Sequence, residues 1–275
     1  MFTILSGLLT ALSFATSDML SQSVTRATRP LQQMLWVFAT GAIIIVPVAL
    51  VVEGLPDAGE WRGVGLAALA GVTYFVHLFC LLHGLRVGDL GLICALTSLQ
   101  GAYVAIVVVI LGEPVTPLLA FALCLCTVGA VLTSFEGKAK STKGALWAMA
   151  AGVTGAAGML CFVYSDAGWL SQAAISRTVS LAITLPVALL TGSVMVPKAF
   201  RGRAVAAGAL ELSGIVFLSL AFTLGLPAVG GVTATQYGTF AVILGFVLLH
   251  ERPRRHQWVG IVCTIGGVSL LAAIV

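Results

Sequence analysis

Charged residues are scarce in this chain. Asp, Glu, Lys and Arg make up 9% of its 275 residues, whereas 59% are hydrophobic and the mean hydropathy is +1.09. A water-soluble domain of this length would have to expose most of that apolar surface, so the composition excludes this class. It predicts an integral membrane protein, with the lipid bilayer as a partner.

Catalytic and metal-binding motifs are also missing. The sequence has no His-Glu-x-x-His or Gly-x-Ser-x-Gly segment, and none of its six cysteines belongs to a Cys-x-x-Cys pair. We therefore expect no enzyme, no metal and no cofactor, and interpret the cysteines as small packing residues. The net charge of +4 is dispersed over loops, which disfavours nucleic acid as a partner.

Long apolar runs dominate what is present. Runs separated by charged residues, Pro or Gly predict ten transmembrane helices and an all-α integral membrane fold. The predicted helices cover residues 3–24, 31–52, 63–85, 89–111, 115–135, 144–165, 171–192, 204–224, 229–250 and 256–274.

Three short segments occur twice, in the same order and at nearly one spacing. Pro-Val-Ala-Leu at 47–50 returns at 186–189, Cys-Thr-Val-Gly at 126–129 returns as Cys-Thr-Ile-Gly at 263–266, and Thr97-x-x-Gln100 returns as Thr233-x-x-Gln236. They predict two five-helix repeats, residues 1–137 and 144–275, joined by the polar segment 136–143. Because five is odd, the second repeat enters the membrane from the opposite side, which gives an inverted repeat. The two Thr-x-x-Gln helices then become symmetry mates, and we expect cargo at their shared axis.

Each Thr-x-x-Gln segment is followed by an aliphatic run that stops on a glutamate, Glu113 or Glu251. A proline follows each glutamate within two residues. A carboxylate beside a helix N-terminus is favourable for the helix dipole and the unpaired amides, so both glutamates are expected to support the start of the next span.

This arrangement resembles a known family. Ten spans in two halves, each half ending in an aliphatic helix, a glutamate turn and a Gly-rich span, resemble the EamA-type transporters of the drug/metabolite transporter superfamily. The resemblance implies a basket in which spans one, three, four, six, eight and nine line a central cavity. It also implies alternating access and a small organic cargo that is often exported.

The basic residues are divided unequally between the two sides of the membrane. Arg62 and Arg177 fall on one side, and loops on the other side hold Arg26, Arg29, Arg86, Lys138, Lys140, Lys143, Lys198, Arg201, Arg203, Arg252, Arg254 and Arg255. The positive-inside bias predicts that these twelve face the cytoplasm and that both termini face outside. The family resemblance implies the opposite orientation.

Three ionisable residues within the spans are candidates for proton coupling and cargo binding. Asp18, His77 and Glu211 each lie eight or nine residues from an arginine on the same predicted side. At a rise of about 1.5 Å per residue they share one depth, roughly 12–14 Å into the membrane. Ionisable residues in a span are costly and are functional candidates by default. The alternatives are a frayed helix end for Asp18 and a packing role for His77.

Arg177 is the one cation well within a predicted span. It either lies at the surface and extends to the headgroups, or pairs with Asp166, or anchors an anionic group.

Polar and aromatic residues complete the predicted binding site. Hydroxyls, amides and aromatic faces suit an organic cation or an aromatic cargo. The candidate substrate-binding residues are Asp18, Tyr74, His77, Thr97, Gln100, Tyr103, Glu211, Thr233, Gln236 and Tyr237.

The sequence therefore favours a secondary transporter, expected to be an exporter, for a small cationic or zwitterionic metabolite or drug. It works either with proton coupling or as a facilitator, as a monomer or a homodimer. Acids without a firm cationic partner argue against phosphate or dicarboxylate cargo. The alternative is a non-transporting partner subunit or sensor built on the same fold.

Overall fold

All regular secondary structure is helical in the residues that the computed structural model describes, which are 1–56, 59–88, 90–134, 142–249 and 254–274. This confirms the all-α class. The helices are α1 (Phe2–Ala27), α2 (Pro30–Val52), α3 (Trp61–Val87), α4 (Leu90–Ser98), α5 (Gln100–Ile110), α6 (Pro117–Ser134), α7 (Thr142–Val163), α8 (Trp169–Leu190), α9 (Lys198–Leu224), α10 (Pro227–Ala234), α11 (Tyr237–Leu249) and α12 (Arg255–Ile274).

Seven of these helices are long and apolar enough to cross a membrane, namely α1, α2, α3, α7, α8, α9 and α12. Their outward faces carry many exposed aliphatic side chains, such as Ile43, Leu190 and Val262. Lipid chains cover such faces without a free-energy penalty, whereas exposing them to water is unfavourable. The chain is therefore a multi-pass protein of the cell membrane.

The fourth and ninth spans are each broken into two helices. The fourth consists of α4 and α5, which meet at Leu99, and the ninth consists of α10 and α11, which meet at Thr235 and Gln236. The sequence predicts one continuous helix in each place. Hydropathy responds to composition and not to backbone geometry, so it cannot detect a break within an apolar run.

Helix α9 begins at Lys198, six residues before its predicted start. Lys and Arg are good helix formers, so the helix continues through Arg201 and Arg203 beyond its apolar part. Pro197 precedes its first residue and marks where it begins. The basic side chains therefore stand on a rigid helical turn and not in a loop.

The chain before residue 135 interlocks with the chain after residue 141. Helix α1 packs against α9, α3 against α7, α2 against α8, and α6 against α12. The two broken spans also meet, because α5 packs against α10. In each of these pairs, one helix lies before residue 135 and the other lies after residue 141.

Glycine lets the two broken spans cross with their backbones in contact. A Cβ atom added to Gly101 of α5 would lie 2.7 Å from the carbonyl oxygen of Gly231 in α10. No larger residue fits at that distance without movement of one helix. The crossing lies directly after Gln100, at the break between α4 and α5.

Two glutamates bind helix N-termini across this interface. The Glu53 carboxylate, after α2, accepts hydrogen bonds from the Leu170 and Ser171 amides at 3.0 and 2.8 Å, where α8 begins. The Glu113 carboxylate accepts one from the Ala228 amide of α10 at 3.2 Å. Burial raises the pKa of Glu113, and the hydrogen bond from Ala228 opposes that shift.

We expected Glu113 to support the start of the span that follows it in the chain, and this expectation is wrong. Glu113 caps the ninth span, because the end of α5 lies beside the start of α10. The corresponding expectation for Glu251, and most of the predicted connecting segment 136–143, fall outside the described residues.

Candidate substrate cavity

A cavity lies in the middle of the helical bundle. Its volume is about 30 Å³, well below the range of small-molecule sites, so the cavity is nearly closed in this conformation and its walls must move apart to admit a cargo. Spans one, three, four, six, eight and nine contribute to its wall, and this is the set that the family resemblance implies. The lining residues are Phe14, Asp18, Ala70, Tyr74, His77, Leu81, Thr97, Gln100, Gly155, Gly158, Met159, Phe162, Glu211, Ile215, Leu218 and Tyr237.

Two carboxyl groups from different helices face this cavity. Asp18 of α1 is 5% exposed and Glu211 of α9 is 4% exposed, and they are close enough for their charges to interact. Asp18 forms no hydrogen bond with another described residue. An ionised carboxylate at this depth needs a proton or a cation near it, because it is removed from water.

The Glu211 carboxylate is held by a side chain from α3. The Tyr74 hydroxyl donates a hydrogen bond to Glu211 Oε1, and Ser17 of α1 also lies beside this carboxylate. Tyr74 stacks on His77, with ring centroids 5.3 Å apart. Helices α1, α3 and α9 therefore converge on one acidic group.

His77 is fixed by helix α7. Its Nδ1 lies 2.8 Å from the Ala151 carbonyl oxygen. Because a carbonyl oxygen can only accept, Nδ1 carries the proton of the neutral ring and Nε2 is left as an acceptor. The hydrogen bond to Ala151 therefore fixes the orientation of the ring and leaves Nε2 able to accept a hydrogen bond or a proton.

Gln100 is the polar group at the break of the fourth span. It is buried, and its amide forms no hydrogen bond with a described residue. Its Oε1 lies against Gly155 of α7, where an added Cβ would also come within 2.7 Å of His77 Nδ1. Glycine at 155 therefore keeps the space between Gln100 and His77 open.

Thr97 and Tyr237 complete the polar wall. The Thr97 hydroxyl bonds back to the Ile93 carbonyl oxygen at 2.8 Å. Tyr237 is 3% exposed, and its buried hydroxyl has no hydrogen-bond partner among the described residues, although Thr97 is nearby. A free hydroxyl in an apolar surrounding is available to a bound molecule.

Three of the sequence-predicted residues lie elsewhere. Gln236 faces α6 and α12, where its Nε2 donates to the Cys126 carbonyl oxygen at 3.2 Å and its Oε1 accepts from Thr264 at 3.2 Å. Thr233 packs against Gly7 of α1. Tyr103 is partly buried among apolar residues and does not line the cavity.

Arg177 is completely buried, so a surface position for it is wrong. Its Nη2 donates to the Glu211 carbonyl oxygen at 3.1 Å, and its guanidinium lies over the Tyr74 ring, 4.8 Å from the centroid. Nε and Nη1 have no hydrogen-bond partner in the described part of the chain. It forms no ion pair with Asp166 there, and instead stands behind Tyr74, outside the cavity wall.

Polar side chains from several spans meet at the cavity. Two acids, a histidine, an amide and two phenols surround one space, and its described lining includes no lysine or arginine. Among the described residues no group of three or more His, Cys, Asp or Glu side chains is placed to hold a metal ion. The described wall therefore combines acidic, amide and aromatic side chains in one place.

The arrangement of the helices occurs in other proteins. A crystal structure of a protein 17% identical to the chain superimposes with a TM-score of 0.76, covering 99% of this chain and 97% of its own. At that identity the likeness concerns the fold alone. No curated protein matches the chain.

The family comparison is more specific. The sequence model of the EamA-like transporter family matches residues 1–135 and again residues 142–273. Together these segments span nearly the whole chain, which agrees with the cavity-lined helical bundle and its membrane-facing surface. The chain thus belongs to the EamA-like transporter family of the drug/metabolite transporter superfamily.

Proposed function

We propose that this protein is a secondary transporter that exports a small cationic or zwitterionic metabolite or drug by alternating access, in exchange for protons. The observation that carries the proposal is the pair of buried carboxyl groups, Asp18 and Glu211, on one cavity wall. A proton and a cationic cargo compete for such groups, since either one neutralises the same negative charge. That competition is the physical basis of exchange.

Cationic cargo is favoured over anionic cargo by the position of Arg177. Its guanidinium lies behind the Tyr74 ring and is not part of the cavity wall. An anion entering the cavity would meet two carboxylates and no cation. Aromatic rings from Phe14 and Phe162 suit an organic cation with an apolar body.

We also propose that residues 1–137 and 144–275 are inverted repeats. Contacts support this, because α1 on α9 and α7 on α3 are the same pairing of first and third spans from opposite repeats. Tyr74 and Glu211 are separated by 137 positions, the spacing of the Cys126 and Cys263 segments, and they bond to each other. Equivalent positions can touch only near a two-fold axis, which would pass through the cavity.

A thermal stabilisation screen of the purified protein is used to identify the cargo. Amino acids, polyamines, quaternary amines and nucleosides are screened at two pH values, because a ligand that binds only the folded state raises the Tm. Carboxylates bind a cation best when deprotonated. We therefore expect cationic hits whose stabilisation is greater at the higher pH.

Proton coupling is tested in vesicles that contain the purified protein and an imposed proton gradient. Glu211→Gln keeps the size of the side chain and removes its charge, and we expect gradient-driven flux of the screened cargo to fall by more than about tenfold. Asp18→Asn is expected to weaken cargo binding as well. Asp166→Asn, at an exposed loop position, is the matched control and should transport normally.

Two outcomes contradict the proposal. If Glu211→Gln inserts, folds and transports at the wild-type rate, the cavity acids do not couple transport to protons. If no cationic compound stabilises the protein and none is transported, the role of a non-transporting partner subunit or sensor is favoured.

A further inference from the structure

A second concave surface lies on the membrane-facing side, away from the cavity. It is a groove between α2, α8 and the start of α9, and we refer to it as the α2–α8–α9 groove. Its volume is about 470 Å³. The lining residues are Leu35, Trp36, Ala39, Thr40, Ile43, Leu181, Leu185, Val194, Met195 and Val205.

The groove has the length of an acyl chain segment in one leaflet. It follows α2 from Leu35 to Ile43, a distance of about 12 Å at the helical rise per residue. A leaflet contributes about 15 Å of hydrocarbon thickness. Ile43 is 74% exposed and Met195 65% exposed, so no described part of the chain covers the groove.

One end of the groove is strongly basic. Arg201 lies four residues before Val205 and therefore on the same face of α9. Its guanidinium lies 6.0 Å from the centroid of Trp36, which is itself fixed by a hydrogen bond from Nε1 to the Val194 carbonyl oxygen at 3.0 Å. Arg201 Nε donates to the Val196 carbonyl oxygen at 3.0 Å, but its terminal nitrogens have no hydrogen-bond partner among the described residues.

More cations surround that end, and no described acid neutralises them. Arg26, Arg29, Lys198 and Arg203 are exposed there. Arg29 Nη1 lies 3.3 Å from the Thr191 carbonyl oxygen, in the loop that supplies Val194 and Met195. The described acids lie in the cavity or at the opposite membrane surface: Asp18, Glu53, Glu60, Glu113, Asp166 and Glu211.

A second groove provides an internal comparison. It lies at the other end of the α2–α8 pair, is lined by residues such as Val46, Leu50 and Ile175, and has a volume of about 240 Å³. Its described lining includes no basic residue, and Glu53 lies nearby with its carboxylate bound to the α8 amides. Apolar shape is therefore common to both grooves, whereas positive charge distinguishes the first.

We propose that the α2–α8–α9 groove is a binding site for an anionic phospholipid. An acyl chain fills the groove beside Ala39 and Leu185, the Trp36 indole lies at the headgroup level, and Arg201 with Lys198 binds the headgroup phosphate. Tryptophan and arginine are suited to this boundary, because one part of each is apolar and the other polar. The site is independent of the cargo and of proton coupling.

The test uses quenching of Trp36 fluorescence in lipid nanodiscs. The full chain is reconstituted with brominated phosphatidylglycerol or with brominated phosphatidylcholine of the same acyl chains. The fluorescence that comes from Trp36 is obtained by subtracting the fluorescence of the Trp36→Phe variant from that of the wild type. A basic residue near an anionic headgroup contributes roughly a fivefold preference, so half-maximal quenching is expected at about fivefold lower mole fraction of the anionic lipid.

Two variants separate the headgroup from the acyl chain. Arg201→Gln should abolish the preference, whereas Arg86→Gln, an exposed arginine on the same membrane side, should preserve it. Ala39→Phe fills the groove with every cation in place, and should reduce quenching by both lipids.

Equal quenching of Trp36 by the two lipids would overturn the proposal. So would equal effects of Arg201→Gln and Arg86→Gln, because the preference would then reflect the general surface potential. Unchanged quenching in a monodisperse Ala39→Phe protein would exclude the acyl chain from the groove.

Discussion

The two broken spans carry the same Thr-x-x-Gln sequence but use it differently. In the fourth span, Gln100 lies on the cavity wall with its amide free of hydrogen bonds to described residues. In the ninth span, Gln236 is fully bonded to α6, α10 and α12, through Cys126, Val232 and Thr264. The first amide is available to a ligand, and the second joins helices.

Within the proposed inverted repeat, a difference of one residue accounts for the contrast. Gln100 and Gln236 are 136 positions apart, whereas Tyr74 and Glu211, which meet at the cavity, are 137 apart. At a spacing of 137 the partner of Gln100 is Tyr237, and Tyr237 does line the cavity. One residue on a helix corresponds to a turn of about 100°, which is enough to point Gln236 away from the cavity. A repeated motif therefore identifies the region of a site and not the side chains within it.

Among the variants that test the comparison of the two glutamines, Gly155→Ala is expected to have the largest effect. The new methyl group overlaps Gln100 Oε1 and lies 2.7 Å from His77 Nδ1. Overpacking of this kind costs about 1–3 kcal/mol of folding free energy, and a methyl group between Gln100 and His77 also occupies space that a cargo would need, so cargo binding should weaken. Cargo binding is measured by thermal shift. Gly266→Ala on α12, where the nearest atom is 3.8 Å away, is the control; equal loss in both variants would contradict a cavity at Gly155.

The second effect is a loss of stability in Gln236→Leu. The Thr264 hydroxyl and the Cys126 carbonyl oxygen lose a partner, and a buried unsatisfied group costs about 1–3 kcal/mol. We expect the Tm to fall by roughly 2–4 °C per kcal/mol, with normal transport per folded molecule. Normal stability combined with lost transport would place Gln236 in the site after all.

Gln100→Leu should give the reverse pattern with a smaller amplitude. No hydrogen bond to a described residue is lost, so the free energy of unfolding should change by less than about 0.5 kcal/mol. Loss of one hydrogen bond to the cargo costs about 0.5–1.5 kcal/mol, which corresponds to roughly two- to tenfold weaker binding. Titration of the cargo against both glutamine variants tests the comparison directly; a destabilised Gln100→Leu with unaltered affinity would reverse the assignment.

The smallest effect is expected from Tyr237→Phe. Its hydroxyl has no partner among the described residues, so its removal should leave stability unchanged or raise it by up to about 1 kcal/mol. Denaturant unfolding measures this change in the free energy of unfolding. The comparison between variants is valid when they unfold with the same denaturant slope. A clear destabilisation would show that the hydroxyl is bonded in the folded protein.

The sequence predicts the number and place of the spans well, because apolar length is the property that a bilayer selects. It also predicts Asp18, His77 and Glu211 as candidates, since ionisable residues in spans stand out, and all three line the cavity. It misses the breaks at Leu99 and Thr235, which leave composition unchanged. It leaves Arg177 unresolved, because burial beneath Tyr74 depends on how α8 packs against α3.

The helix caps made by Glu53 and Glu113 bear on how the protein is made. Both carboxylates are synthesised before the helices that they bind, because α8 and α10 lie later in the chain. Neither carboxylate can form these hydrogen bonds until the helix that supplies the amides has been translated. The earlier spans are therefore not locked in place until the later ones have been translated, and a truncated chain would retain unpaired carboxylates as a mark of incomplete assembly.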